Sequence, residues 1–142
     1  MARPYFDIHC TVGRQSARDP RLPYHAEALA EDMRYFGISA AAVTHAAALS
    51  YSFVQGNNEL LALLQNQPRL VGVAALPPTA PMESGEGDAY YSRLRKGGIR
   101  AFRACPRTFS HPFDPFWLEA MAAFLTNHRM PLFVDAAEIG LA

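Results

Sequence analysis

The sequence predicts an α/β protein built on a parallel β-sheet. Short apolar segments of strand length alternate with longer segments whose apolar residues recur at helical spacing. Five such strands begin at intervals of roughly 30 residues, and helices between strands return the chain so that the strands pair in parallel. The 142 residues suffice for one domain with an apolar core.

The first predicted strand, residues 6–13, combines polar and apolar side chains in alternation. Successive side chains of a strand point to opposite faces, so Asp7, His9 and Thr11 are expected on one polar face. Gly13 ends the strand. In α/β proteins the carboxyl ends of the strands open into the functional site, and this polar face is therefore the first candidate for chemistry.

Four helices are predicted between the strands from their apolar spacing and their end signals. In the first helix, Leu29, Met33 and Phe36 recur at helical spacing. The end signals are Gly37 after the first helix, Asn57 or Asn58 as the N-cap of the second with Pro68 beyond its end, Gly97 after the third, and Asp114 with Pro115 at the start of the fourth.

The other four strands are predicted at residues 38–45, 70–76, 99–105 and 131–135. Their spacing is that of a (β/α)8 barrel, in which roughly 250 residues form eight units. The chain would then hold about five of the eight. A doubly wound open sheet of five strands is the alternative, and it would be complete at this length. The turn after the first strand is not Gly-x-Gly-x-x-Gly, so a dinucleotide-binding version has no support.

Composition excludes several classes of function. Thirteen basic and thirteen acidic residues give a net charge of zero, which argues against nucleic acid as the main partner. The sequence contains neither an apolar run long enough to span a bilayer nor a signal-peptide core, so we expect a cytoplasmic protein without membrane contact. Cys10 and Cys105 lie far apart and outside any CxxC motif, and we expect both to be reduced thiols that pack as small apolar residues.

Several segments match a known family in order and spacing. They are residues 6–13 against an opening Asp-x-His-x-His-x-Gly, Gly56-Asn57-Asn58 before the second helix, the third strand ending at Pro77, Gly97-Gly98-Ile99-Arg100 entering the fourth strand, and residues 131–135 as the fifth. Together they resemble the N-terminal part of an amidohydrolase-related (amidohydrolase 2 type) TIM-barrel protein, a group of metal-dependent hydrolases and some decarboxylases. The resemblance covers nearly the whole chain and implies parallel (β/α) units equivalent to about the first five of a TIM barrel, hence an incomplete barrel.

The resemblance also implies a divalent metal such as zinc, with His9 as a ligand. Thr11 stands where the family has its second histidine, and Asp135 stands where a histidine ends the fifth strand. A hydroxyl is a poor zinc ligand and a carboxylate an acceptable one, so His9 and Asp135 would need further ligands. The family takes these from strands six to eight, which lie beyond the five units of this sequence.

Six residues are candidates for the site. Asp135 and Asp7 are the catalytic candidates, His9 is the metal candidate, and Arg103, His45 and Thr11 are the candidates for substrate binding. The guanidinium of Arg103 could bind a carboxylate or a phosphate in bidentate fashion, whereas Arg100 has the opposite parity and is expected to face solvent or a helix. The histidines could instead be hydrogen-bonded core residues and Thr11 a strand filler. We expect Glu138, His111 and His128 to be ordinary solvated or terminal residues.

Two functions remain open from the sequence. The first is an amidohydrolase-like enzyme that hydrolyses or decarboxylates a small polar substrate at the carboxyl ends of the strands. The second is a non-catalytic or truncated half-barrel that binds a small molecule or a protein partner. A partial barrel has an open sheet edge and an uncovered apolar inner face. We therefore expect residues 1–142 to be a fragment of a longer protein or a half that another copy completes as a homo-oligomer.

Overall fold

The computed structural model describes residues 4–14 and 24–141, which form one five-stranded parallel sheet with helices between the strands. Among these residues no helix has the length and apolar character needed to cross a bilayer. The elements are β1 (Tyr5–Val12), α1 (Ala26–Tyr35), β2 (Ile38–His45), α2 (Ala46–Ser50), α3 (Phe53–Leu64), β3 (Leu70–Ala75), α4 (Ala80–Glu83), α5 (Ala89–Lys96), β4 (Ile99–Ala104), α6 (Pro115–His128), β5 (Leu132–Val134) and a 3-10 turn (Ala136–Ile139).

The strands pair in the order in which they occur along the chain, β1-β2-β3-β4-β5, and every pair is parallel. A doubly wound sheet would place β1 in the interior of the sheet, with strands added on both sides of it. Here β1 is an edge strand, and the five strands curl into a half-barrel. The barrel prediction is confirmed, and the open-sheet alternative is wrong.

The two faces of the sheet differ in what covers them. The main core joins strand residues such as Val43 and Phe102 to helix residues such as Met33 and Leu94. On the concave face a smaller cluster contains only strand residues, namely Ala42, Val73, Ala101 and Phe133. The helices of the main core therefore pack on the convex face, whereas Ala42, Val73 and Ala101 of the concave cluster are at most 4% exposed and so are not left uncovered.

Strand β1 departs from strict alternation. Asp7 pairs with Ala41 and Cys10 pairs with Val43, so three steps along β1 correspond to two steps along β2. One extra residue in a strand is a β-bulge, and it changes which face the preceding side chains occupy. Because Ala41 and Val43 belong to the helix-side core, Asp7 lies on that side together with Cys10. The expectation that Asp7 shares a face with His9 is wrong for this reason.

Helix α3 begins earlier than the sequence predicted. The hydroxyl of Ser52 accepts a hydrogen bond from the backbone N–H of Gln55 and caps the helix. Gly56 and Asn57 therefore lie inside α3 and are buried there, so the predicted asparagine cap is wrong. The Asn57 amide donates to the carbonyl oxygen of Ala75 at 3.0 Å, which ties α3 to the carboxyl end of β3. By contrast, the predicted cap of α6 is confirmed, because Asp114 accepts from the N–H groups of Phe116 and Trp117.

His45 ends β2 and begins the short helix α2, which the sequence did not predict. Its Nδ1 accepts a hydrogen bond from the N–H of Ala47, and its Nε2 lies 3.3 Å from a carboxylate oxygen of Glu59 on α3. Burial lowers the pKa of His45 below its usual value, while the nearby Glu59 carboxylate opposes that shift. His45 thus joins β2, α2 and α3 as a structural histidine.

We predict that Gly56→Ala destabilises the protein by about 1–3 kcal/mol, although alanine favours helices. A Cβ at this position would lie 2.1 Å from the backbone nitrogen of Ala48, so α2 would have to move. Urea denaturation measures the loss. The exposed Ala62 of the same helix provides a control, because Ala62→Gly changes helix propensity without contact and should cost about 1 kcal/mol. A Gly56→Ala protein as stable as the unmodified protein, or more stable, would contradict the packing account.

The lowered pKa of His45 predicts a loss of stability in mild acid. The unfolded chain binds a proton on His45 more readily than the folded chain does. The neutral ring therefore stabilises the fold above the ordinary pKa of histidine, and this stabilisation is lost as pH falls through the lower pKa that His45 has in the folded chain. Thermal melts between about pH 7.5 and pH 5.5 should show this fall. His45→Asn retains a capping oxygen and should flatten the pH dependence. An unchanged slope in that variant would sink the prediction.

Candidate anion site on the concave face

Three side chains predicted from the sequence meet at the carboxyl end of the concave face. Nη1 of Arg103 on β4 lies 3.0 Å from Nε2 of His9 on β1 and 3.8 Å from a carboxylate oxygen of Asp135, just after β5. In a flat sheet β1 and β4 would lie about 14 Å apart, at three interstrand spacings. The curl of the sheet lets residues 94 positions apart in the chain meet across the concave face.

The charge of Arg103 is buried. Only 4% of its side chain is exposed, and its backbone pairs with Phe133 of the concave cluster. Buried ions normally have close partners, because removing a charge from water costs several kcal/mol. Asp135 is 40% exposed and 3.8 Å away, and Nε of Arg103 has no hydrogen-bond partner among the residues that the structure describes. The guanidinium therefore has unused capacity to bind an anion.

The contact with Arg103 fixes the state of the His9 ring. A guanidinium has only donors, so His9 Nε2 accepts this hydrogen bond and is unprotonated. The backbone N–H of His9 donates to the Asp7 carboxylate at 3.0 Å. The Asp7 carboxylate thus reaches the cluster through the backbone N–H of His9, although Asp7 lies on the opposite face from the His9 ring.

The residues of the cluster do not fit a metal site. The Nε2 lone pair that would bind a metal ion points instead at the Arg103 guanidinium, whose positive charge opposes a second cation there. Thr11 supplies a hydroxyl where a histidine is needed. Across residues 4–14 and 24–141, no three His, Cys, Asp or Glu side chains are placed to hold a metal ion. We therefore derive no step through the metal that the resemblance implies.

The two remaining candidates, Thr11 and His45, lie on opposite faces of the sheet. Thr11 pairs with Thr44, and both lie on the concave side, while His45 follows on the opposite side and does not join the Arg103 cluster. Thr44 is fully buried, and its hydroxyl makes no hydrogen bond within the described part of the chain. Thr44 was not among the candidates from the sequence. Its position two residues after the inward-facing Ala42 places it on the same face by strand alternation.

The two cysteines are free thiols, as expected. Burial raises the pKa of Cys10 to about 12, with a further contribution from its hydrogen bond to Asp7. Burial likewise raises the pKa of Cys105 to about 12. Neither thiol forms a nucleophilic thiolate at neutral pH, because the thiolate is the reactive form.

Two residues expected to be solvated are instead held in place. The Glu138 carboxylate accepts hydrogen bonds from the N–H groups of Arg107 and Thr108 and from the Thr108 hydroxyl. Burial acts to raise the pKa of Glu138, but these hydrogen bonds outweigh it and the pKa lies below its usual value. His111 Nε2 lies 3.0 Å from the Thr79 hydroxyl. Arg100 is exposed, as predicted from its parity.

Comparison with known proteins supports the fold. Neither a protein-family model nor a curated protein matches the sequence. A crystal structure of a probable 2-pyrone-4,6-dicarboxylic acid hydrolase from Acinetobacter baumannii with citric acid bound matches 93% of this chain, with a TM-score of 0.60 and 16% sequence identity. The chain spans 49% of the length of that protein. This chain therefore has the fold of half of a TIM-barrel hydrolase, which is the fold that the resemblance to amidohydrolase-related barrels implied.

Proposed function

We propose that this half-barrel binds a small organic acid through a carboxylate group at Arg103 and belongs to an amidohydrolase-like hydrolase acting on that acid. The observation that carries the proposal is the buried guanidinium at the carboxyl end of the concave face, whose ion-pair partner Asp135 lies at 3.8 Å, beyond hydrogen-bond distance, and whose Nε has no hydrogen-bond partner among the described residues. A bound carboxylate would offset the cost of burying this charge, and guanidinium and carboxylate groups match in bidentate geometry.

The groups around the guanidinium are suited to hydrolysis of a substrate bond that lies close to the substrate's carboxylate. His9, with Nε2 unprotonated, and the partly exposed Asp135 flank Arg103 on either side. In this proposal Asp135 takes the proton of an attacking water molecule, and the guanidinium offsets the negative charge that develops on the substrate oxygen. Thr11 and Thr44 offer hydroxyls to the substrate on the same face, and Asp7 acts by holding the β1 bulge. Decarboxylation of the same class of acid would use the same carboxylate contact.

The solved neighbour supplies a probe of the right class. Its name refers to a dicarboxylic acid, and its crystal contains citric acid, a tricarboxylic acid. Multiple carboxylates are the chemistry that a buried guanidinium recognises. Citrate is therefore the ligand with which to test the site.

The second candidate function is a non-catalytic half-barrel that binds a partner. The observation in its favour is the edge strand β1, which exposes Tyr5, Phe6 and Ile8 and pairs on one side only within the described residues. We propose that either a second copy of the chain or further barrel strands cover this edge. The two free thiols fit a reducing, cytoplasmic setting for either function.

We predict that Arg103→Met weakens citrate binding while the ligand-free protein stays folded. Charge-assisted hydrogen bonds contribute roughly 1.5–3 kcal/mol, so citrate affinity should fall about ten- to a hundredfold. A methionine in place of a poorly paired buried cation should leave the unfolding free energy unchanged or higher. Isothermal titration calorimetry measures the affinity, and thermal melts measure the stability.

Arg100→Met is the matched control for this experiment. Arg100 lies on the same strand, but its exposed guanidinium donates to the carbonyl oxygens of Arg95 and Ile99. Citrate affinity should be unchanged in this variant. Equal loss in both variants would indicate nonspecific binding and would overturn the proposal, as would full affinity in Arg103→Met. Citrate binding without turnover of any ester or lactone of a carboxylic acid would favour the binding function over the enzyme.

A further inference from the structure

The anion site sits where the sheet ends. The pairing of β4 with β5 runs over three residue pairs and stops at Ala104 and Val134. Arg103 lies just before that end and Asp135 just after it. Beyond this point the sheet no longer fixes the segment that carries Asp135 against the loop that follows β4. We call that loop, residues 105–114, the β4–α6 loop.

Glu138 joins these two segments beyond the sheet. Its Oε2 accepts from the backbone N–H groups of Arg107 and Thr108 at 2.8 and 3.0 Å, and its Oε1 accepts from the Thr108 hydroxyl at 2.7 Å. All three contacts are donors, and an ionised carboxylate is a pure acceptor that can satisfy them together. Glu138 lies three residues after Asp135, in the 3-10 turn, so its hydrogen bonds anchor the turn on which Asp135 is mounted.

We infer that Glu138 is a positioning residue of the anion site, fixing the segment of Asp135 against the segment that follows Arg103. The inference rests on the proposed function, because the site that it positions is the carboxylate site. Its physical basis is that β5 is too short to hold Asp135 by strand pairing alone. Three hydrogen bonds to one carboxylate add a second attachment between the same two segments. The distance between Arg103 Nη1 and Asp135 then depends on Glu138.

Glu83 gives a matched comparison on the other side of the same loop. Its carboxylate contacts the Thr79 hydroxyl and lies 3.9 Å from His111 in the β4–α6 loop. It therefore touches the loop from the β3 side without any link to the segment of Asp135. If holding the loop were sufficient, loss of Glu83 would affect the site as much as loss of Glu138.

The test compares Glu138→Ala, Glu138→Gln and Glu83→Gln with two measurements. One is the citrate dissociation constant, and the other is the NMR cross-peak of the Arg103 Nε–H group, assigned by its absence in Arg103→Met. Glu138→Ala should raise the citrate dissociation constant about tenfold, since small displacements of binding groups have large effects. It should also shift the Arg103 cross-peak. Glu138→Gln keeps a carbonyl oxygen for the two N–H groups and should stay within about threefold of the unmodified protein.

The outcomes separate the two proposals. A folded Glu138→Ala protein with an unmoved Arg103 cross-peak and unchanged citrate affinity overturns the inference, as do equal changes in Glu83→Gln. If the unmodified protein does not bind citrate, the proposed function fails, while the Arg103 cross-peak still decides the role of Glu138. If Glu138→Ala does not fold, Thr108→Val is the second variant, because it removes one of the three hydrogen bonds to Glu138. A shift of the Arg103 cross-peak in Thr108→Val supports the inference, and an unshifted cross-peak overturns it.

Discussion

The neighbour-to-neighbour parallel pairing of the strands is the constraint on which the rest of the structure depends. Each crossover helix returns the chain to the next position on the same side of the growing sheet. The helices of the main core therefore cover one face, and the twisted sheet curls around the other. The curl creates a concave face lined by strand residues alone, and it gathers the loops after the strands at one end. The contact between His9 and Arg103 across two intervening strands exists only because of this curl.

The energetics of the concave face centre on one buried charge. Arg103 is removed from water, and among the described residues it has the His9 imidazole at hydrogen-bond distance and a carboxylate at 3.8 Å. Such a cation is costly in the ligand-free protein, and an incoming carboxylate would lower that cost. The same charge explains why His9 is a poor metal ligand here, since its lone pair is already engaged. A site that keeps one histidine of a metal-binding pattern beside a buried arginine is suited to anions and not to cations.

Several polar residues make contacts that hold neighbouring elements of the fold together. Asn57 is buried inside α3 and ties it to the last carbonyl group of β3. His45 caps α2 and reaches Glu59, so it holds the carboxyl end of β2. Glu138 does the same between β4 and β5. These contacts all lie at the carboxyl ends of strands, where strand pairing stops and side chains must fix the loops instead.

The sequence by itself determined the five strands, the four longer helices between them, the opposite parity of Arg103 and Arg100 and the cap at Asp114, because these depend on local alternation, spacing and capping. It also indicated a partial barrel, since the repeat length of strand plus helix is a local property. Only the tertiary structure decided the bulge that turns Asp7 to the helix side, the start of α3 at Phe53 and the structural role of His45. These depend on which residue a neighbouring element brings close, as the 94-residue separation of His9 and Arg103 illustrates. Local patterns carry no information about such contacts, so the sequence could nominate His9, Arg103 and Asp135 one by one, but only the folded chain showed that they meet.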